Sequence, residues 1–162
     1  MQPNLLAVKQ ICLINDLKQL SMKVSDILKS KGSNVYSITS GLTVLDALKA
    51  MGEKNIGALL VIEEGKLLGI FSERDYARKI VLKGKSSNDT LVKEIMTEKV
   101  ISVSPNDSIE RCMELMSEKH IRHLPVMSGE EVSGVISITD VVTAIIASQK
   151  ETISHLQNYI SQ

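Results

Sequence analysis

The chain has no tryptophan, one phenylalanine and three tyrosines in 162 residues. Its core must therefore be aliphatic, built on Ile, Leu, Val and Met. It has two cysteines, Cys12 and Cys112, far apart. That excludes a disulfide scaffold and fits reduced thiols in a cytosolic protein. Charge of one sign is also missing, since 19 basic residues balance 19 acidic ones. With no Lys/Arg-rich run, no basic patch interleaved with aromatics and no zinc-finger spacing, nothing supports nucleic-acid binding. No apolar run approaches the roughly 18 residues of a membrane span. The apolar positions among the first twenty residues, such as Leu5, Leu6, Val8 and Ile11, are interrupted by Lys9 and Gln10. No charged segment precedes them, so a signal peptide is not expected. Catalytic signatures are absent too: there is no G-x-S-x-G elbow, no P-loop and no H-E-x-x-H. His120 and His123 lack a third metal ligand at any motif-like spacing. Cys112 falls on the apolar face of its helix. No enzymatic activity and no metal are expected.

What the chain does have, it has twice. Gly69-Ile-Phe-Ser-Glu-Arg-Asp75 recurs as Gly134-Val-Ile-Ser-Ile-Thr-Asp140, both G-x-x-S-x-x-D, at the same offset (134 − 69 = 65 and 140 − 75 = 65). Val35, Ser37, Met51, Ile56, Leu59 and Val61 align at that offset with Val100, Ser102, Met116, Ile121, Leu124 and Val126. An ungapped repeat over about 45 residues means two copies of one supersecondary unit. A lead-in precedes each copy, Val24–Leu28 and Val92–Met96. Here the offset is 68 (92 − 24), so repeat one carries about three extra residues around Lys31–Asn34.

Each copy reads as strand, helix, strand, turn, strand, helix, an α+β (α/β-like) arrangement. In repeat one the strands are Val35–Thr39, Ala58–Ile62 and Leu67–Phe71. The helices are Thr43–Asn55, with Val44, Ala47, Leu48 and Met51 on one face, and Ser72–Leu82. In repeat two the strands are Val100–Ser104, Leu124–Met127 and Val132–Ile136. The helices are Ser108–Lys119, with Ile109, Cys112, Met113 and Met116 inward, and Ser137–Ala147. The division is 1–21 as an N-terminal helical segment, 22–84 as repeat one, 85–148 as repeat two and 149–162 as a C-terminal helix. That last helix either packs on a partner subunit or caps its own domain.

The doubled motif has two compatible readings. Ser-x-x-Asp at a strand-to-helix junction is a capping box, with Ser and Asp each satisfying the other's main-chain N–H. The same carboxylate, beside a helix start, can accept the vicinal hydroxyls of a ribose.

Together these stretches resemble a tandem pair of cystathionine β-synthase (CBS) domains, a Bateman module of the stand-alone bacterial type. The resemblance rests on Val35–Thr39, Ile56–Val61 and Gly69–Asp75 in repeat one. In repeat two it rests on Met96–Pro105, Lys119–Val126 and Gly134–Asp140, and it covers about residues 22–148. It implies two β-α-β-β-α units packed about a pseudo-twofold axis, with two clefts that take adenosyl ligands. It also implies a homodimer acting on a downstream protein in the cytoplasm. By this resemblance the motif Asp holds the ribose, the first strand and the loop after it meet the adenine, and basic residues meet the phosphates. The nucleotide-binding set is then Ser37, Ile38, Thr39, Gly57, Ala58, Ser72, Arg74, Asp75 and Arg78 in repeat one. In repeat two it is Ser102, Val103, Ser104, Ile121, Arg122, His123, Pro125, Ser137, Thr139 and Asp140. The copies differ where a ligand would lie. Asn55-Ile-Gly-Ala58 aligns with His120-Ile-Arg-His123, and Arg74 and Arg78 align with Thr139 and Thr143. Two unlike sites are expected. Arg122 can fork onto phosphate oxygens, which makes AMP the first choice, with NAD(H) or ATP second. The alternative is a dimerisation module without a small ligand.

Overall fold

The computed structural model describes residues 22–160. The expected N-terminal helical segment, Cys12 and the last two residues lie outside the described residues. Main-chain conformation starts from the caps. Thr43 accepts from Asp46 N–H at 3.1 Å and opens α2 (Val44–Lys54), and Ser108 accepts from Arg111 N–H at 3.2 Å and opens α4 (Ile109–Lys119). Both helices end in the left-handed conformation, on Asn55 (φ 52°) and on His120 (φ 53°), two aligned positions. His120 is thus a helix C-cap, a place where Asn is favoured and His tolerated.

The chain forms two compact units that do not follow the repeats. The first contains residues 33–104 and 123–135. Here β1 (Ser37–Ile38) runs parallel to β2 (Ala58–Glu63), pairing Ser37 with Leu60 and Ile38 with Val61. β2 runs antiparallel to β3 (Lys66–Ser72), with a register irregularity at Val61/Ile62. The connection is a two-residue turn with positive φ at both Glu64 and Gly65, which matches the twist of a hairpin. Behind this sheet, α2 buries Val44, Ala47 and Met51 with Leu59, Val61 and Phe71. Periodicity had placed those helix residues on one face, and Leu48 packs against the cluster half-buried. α3 (Glu73–Lys79) is shorter than the expected Ser72–Leu82, because the backbone tightens into a 3₁₀ turn over Val81–Lys83. The lead-in of repeat two is likewise a 3₁₀ turn, Val92–Glu94, and it buries Val92 and Ile95 in the same core.

β4 (His123–Ser128) and β5 (Glu131–Ser137) form a two-stranded sheet. The expected strand Val100–Ser104 is reduced to one bridge. Val103 donates to Pro125 O at 3.0 Å and accepts from Met127 N–H at 2.8 Å. Pro105, two residues on, has no N–H to continue a ladder.

The second unit contains residues 22–32, 105–122 and 136–160. It is made of α1 (Val24–Lys31), α4 and α5 (Ile138–Ile160). α5 is one 23-residue helix, so the expected closing helix and C-terminal helix are continuous. No Gly or Pro interrupts Ile138–Ile160.

The units cross the repeats because each lead-in docks on the other repeat's first helix. Lys23 bridges Ser108, and Ile109 N–H donates to Met22 O at 3.1 Å. Leu91 bridges Thr43, and Val92 N–H donates to Leu42 O at 2.9 Å. The two contacts match in repeat coordinates, since 43 + 65 = 108 and 23 + 68 = 91.

Candidate functional site

Each motif serine and aspartate sits where a strand becomes a helix. In repeat one Asp75 accepts Ser72 N–H at 3.1 Å and Ser72 Oγ at 2.7 Å, both on Oδ2, while Ser72 Oγ accepts Asp75 N–H at 3.3 Å. In repeat two Asp140 Oδ2 accepts Ser137 N–H at 2.7 Å and Ser137 Oγ at 2.8 Å, and Ser137 Oγ accepts Asp140 N–H at 3.2 Å. Both copies are therefore complete capping boxes, which fixes the rotamer of each carboxylate.

The outer partners of the two carboxylates differ. Asp75 Oδ1 is paired with Lys79 Nζ at 2.8 Å and accepts Thr97 Oγ1 at 3.2 Å. Lys79 also donates to Ile95 O at 2.7 Å, tying α3 to the lead-in of repeat two. Asp140 is paired with Lys31 Nζ at 2.6 Å, again on Oδ2. Burial raises the Asp140 pKa, but the Lys31 ammonium and the two Ser137 donors outweigh it and hold the carboxyl below its ordinary value. Lys31 ends α1, at the start of the stretch where repeat one carries its extra residues. Lys31, Lys79 and Thr97 are absent from the sequence-derived set. The Asp75–Lys79 spacing of four was the one available signal for any of them.

The remaining candidates divide between the units. In the first unit Ser37, Thr39, Arg74, Arg78 and Ser102 are exposed, and Gly57, Ala58, Ser72, Ser104 and His123 are half-buried. Ile38, Val103 and Pro125 are buried, so their side chains belong to the core. In the second unit Arg122 and Thr139 are exposed, and Ile121, Ser137 and Asp140 are half-buried. Arg122 is anchored through its carbonyl, which accepts Ile138 N–H at 2.8 Å at the first residue of α5.

The structure brings Gly57 of repeat one against His123 of repeat two. A Cβ on Gly57 would lie 3.6 Å from His123 Cε1 and 3.4 Å from Glu73 Oε2. Beside them is a cavity of about 300 Å³, at the small end of the ligand-pocket range. Its apolar wall is Leu48, Met51 and Ile56, and its polar edge is Asn55, Gly57 and Glu73. Glu73 was not expected here from sequence. Its N–H donates to Gly57 O at 3.2 Å, which carries its carboxylate to the cavity. Among the described residues no group of three His, Cys, Asp or Glu could hold a metal ion, and no helix is long and apolar enough to cross a membrane.

Comparison with known proteins matches this geometry. The family model for the CBS domain matches residues 24–82 and 92–147. "CBS domain-containing protein CBSX3, mitochondrial" of Arabidopsis thaliana is 42% identical over 149 residues, covering 86% of this chain and 72% of that one. The crystal structure of the CBS domain protein NE2398 superposes with a TM-score of 0.74 at 44% identity, covering 77% of this chain and 98% of that chain. The CBS domain pair of protein MJ0100, in complex with 5-methylthioadenosine and S-adenosyl-L-methionine, superposes with a TM-score of 0.69 at 26% identity, covering 78% and 97%. Two capped strand-to-helix motifs on a mixed α+β scaffold, matched twice by one family model, make this chain a member of the CBS domain family, carrying a tandem pair of CBS repeats.

Proposed function

We propose that this chain is a non-catalytic regulatory module that binds an adenosyl ligand, AMP first and NAD(H) or ATP second, at unlike sites in its two repeats. The observation that carries the reading is a motif carboxylate held in one rotamer by its own serine at a strand-to-helix junction, with acceptor capacity directed at a neighbouring group. Adenosyl compounds bound to the CBS pair of MJ0100 support the ligand class. Arg122, exposed beside the start of α5, supports a phosphate-bearing member of that class. Regulation would come from differential affinity, because a ligand shifts a packing equilibrium only by binding one arrangement better than another. The module acts as a homodimer in the cytoplasm and relays the ligand state to a downstream protein. The test is calorimetric titration of ligand-stripped protein with AMP, ATP, NADH and S-adenosylmethionine. At least one binds with a micromolar dissociation constant; a set in which none binds below millimolar refutes the reading.

A second reading, dimerisation without a small ligand, is favoured by one observation. Ile146, Ile153, Leu156 and Ile160 on α5 are exposed. Under that reading all titrations are flat, and polar substitution of Ile153 and Leu156 dissociates the dimer in sedimentation.

A further inference from the structure

We infer that α5 docks on α5 of a second copy of this chain, as a parallel, in-register two-helix coil with a Gln149 layer inside it. This inference rests on the homodimer reading above, says which surface makes that dimer, and is independent of the ligand. α5 has two apolar faces. One is used within its own unit: Val141 and Ala144 are buried, and Ile145, Ser148 and Thr152 are half-buried. The other is Val142, Ile146, Ile153, Leu156 and Ile160, all exposed, with Ile153 at 54% and Ile160 at 82%. At about 100° per residue the two faces lie roughly a quarter-turn apart around the helix. Beyond the second repeat the first face gives out as well. From Gln149 to Ile160 every described side chain except Thr152 is exposed. A helical stretch of about 12 residues without tertiary packing is marginal in water, so a partner is needed to hold it.

Spacing names the kind of partner. With Gln149 included, the exposed positions 142, 146, 149, 153, 156 and 160 step by four, three, four, three and four. That is the a/d seam of a left-handed coiled coil, narrower than the stripe a helix turns to a globular core. It runs for about 27 Å at 1.5 Å per residue. Its base is already ordered in a folded unit, so a seam of just under three heptads need not nucleate its own helix. A second α5 carries the same seam, and Gln149, its one polar position, sets the direction. In a parallel, in-register pair the two Gln149 amides face each other and hydrogen-bond, as polar core residues do when they fix register. In a fully overlapped antiparallel pair 142 lies opposite 160, and Gln149 lies opposite Ile153, which buries an amide without a partner. Charge agrees. Lys150 flanks the seam. Antiparallel, it would lie opposite Thr152 and within two residues of Lys150 of the second copy; parallel, it lies beside Ile145 of the second copy, and no like charges meet.

The experiment is analytical ultracentrifugation and cysteine cross-linking of the full chain. Wild type sediments as a dimer. Ile153→Ser with Leu156→Ser, shown to be folded by circular dichroism, raises the dimer dissociation constant roughly a hundredfold or more. Cross-linking reads direction. In a Cys12→Ser background, with Cys112 buried, mild oxidation links Leu156→Cys to itself, because equal positions meet across a parallel seam. Ser154→Cys, off the seam, stays unlinked. A re-equilibrated mixture of Ile146→Cys and Leu156→Cys chains gives the two self-linked species by mass spectrometry, whereas an antiparallel pair gives the mixed one. Mixed linkage in place of self-linkage overturns the parallel register. A double variant that dimerises as tightly as wild type overturns the α5 contact and leaves the homodimer reading standing. A monomeric wild type gives the face to another occupant, residues 1–21 of the same chain or a different protein, and removes both readings.

Discussion

Replacing Gly69 by alanine tests the docking of the second lead-in on β3, which also brings Thr97 to Asp75. A Cβ at Gly69 would fall 2.8 Å from Met96 Sδ, 3.1 Å from Met96 Cγ and 3.0 Å from the Thr97 carbonyl oxygen. The thioether is flexible and can swing away. The carbonyl cannot, because it accepts Ile70 N–H at 3.0 Å while Thr97 N–H donates to Ile70 O at 2.8 Å. Two outcomes are open to the chain. It can keep the contact under strain, at the roughly 1–3 kcal/mol typical of overpacking. Or it can lift Met96 and Thr97 off β3 and lose two main-chain hydrogen bonds of about 1 kcal/mol each, with the Thr97–Asp75 bond besides. The cheaper route sets the loss, at roughly 1–3 kcal/mol. At about 2–4 °C per kcal/mol for a chain of this size, Tm falls by roughly 2–12 °C. The assay is urea and thermal unfolding of the full chain followed by circular dichroism. Gly52→Ala is the internal control of opposite sign. Nothing lies within 4 Å of a Cβ there, and Gly52 is inside α2, where alanine is the better helix former by roughly 0.5–1 kcal/mol. A Gly69→Ala protein within about 0.5 kcal/mol of wild type would refute the docking.

Three further outcomes follow from packing and charge. Phe71, the one phenylalanine, is 0% exposed at the centre of the first unit, so Phe71→Ala loses about 3–5 kcal/mol in urea unfolding; a loss under about 1 kcal/mol contradicts that packing. Asp140 has its pKa lowered in the folded chain, so its contribution to stability is present above the unfolded value of about 4 and is lost as pH falls through the folded value. Lys31→Met removes a large part of that stabilisation, so its unfolding free energy drops less than that of wild type between pH 7 and pH 3; equal drops would place the source elsewhere. Burial, then Asp107 and Glu110, push the Cys112 thiol up to about 11. In a Cys12→Ser background a thiol reagent therefore modifies Cys112 only on unfolding. Stability declines as pH rises from the unfolded value near 9 toward 11, and rapid labelling of the native protein at pH 8 would contradict the burial.

Much of the fold was legible before any coordinates. The faces of α2 and α4 followed from apolar residues three and four apart, and Val44, Ala47, Met51, Ile109, Cys112 and Met116 are all buried. The hairpin between β2 and β3 followed from the apolar strands Ala58–Ile62 and Leu67–Phe71 on either side of residues 63–66, and the structure tightens that turn to Glu64-Gly65. Val100–Ser104 was misread because a short alternating stretch looks like a strand whether or not a partner runs beside it, and only Val103 finds one. Splitting α5 at Ala147 followed the end of the repeat, but nothing local stops that helix.

The candidate site divides in the same way. Duplication, the S-x-x-D capping boxes and the unlike surroundings of the two motifs were set by sequence, because capping is local, a matter of residues three apart whose geometry any helix start supplies. The fate of each motif carboxylate was decided by tertiary structure alone. Lys31 reaches Asp140 across 109 positions and Thr97 reaches Asp75 across 22, and no local pattern encodes contacts of that separation. Those contacts exist because each lead-in docks on the other repeat, so that among the described residues Asp75 takes donors on both oxygens and Asp140 takes them on Oδ2.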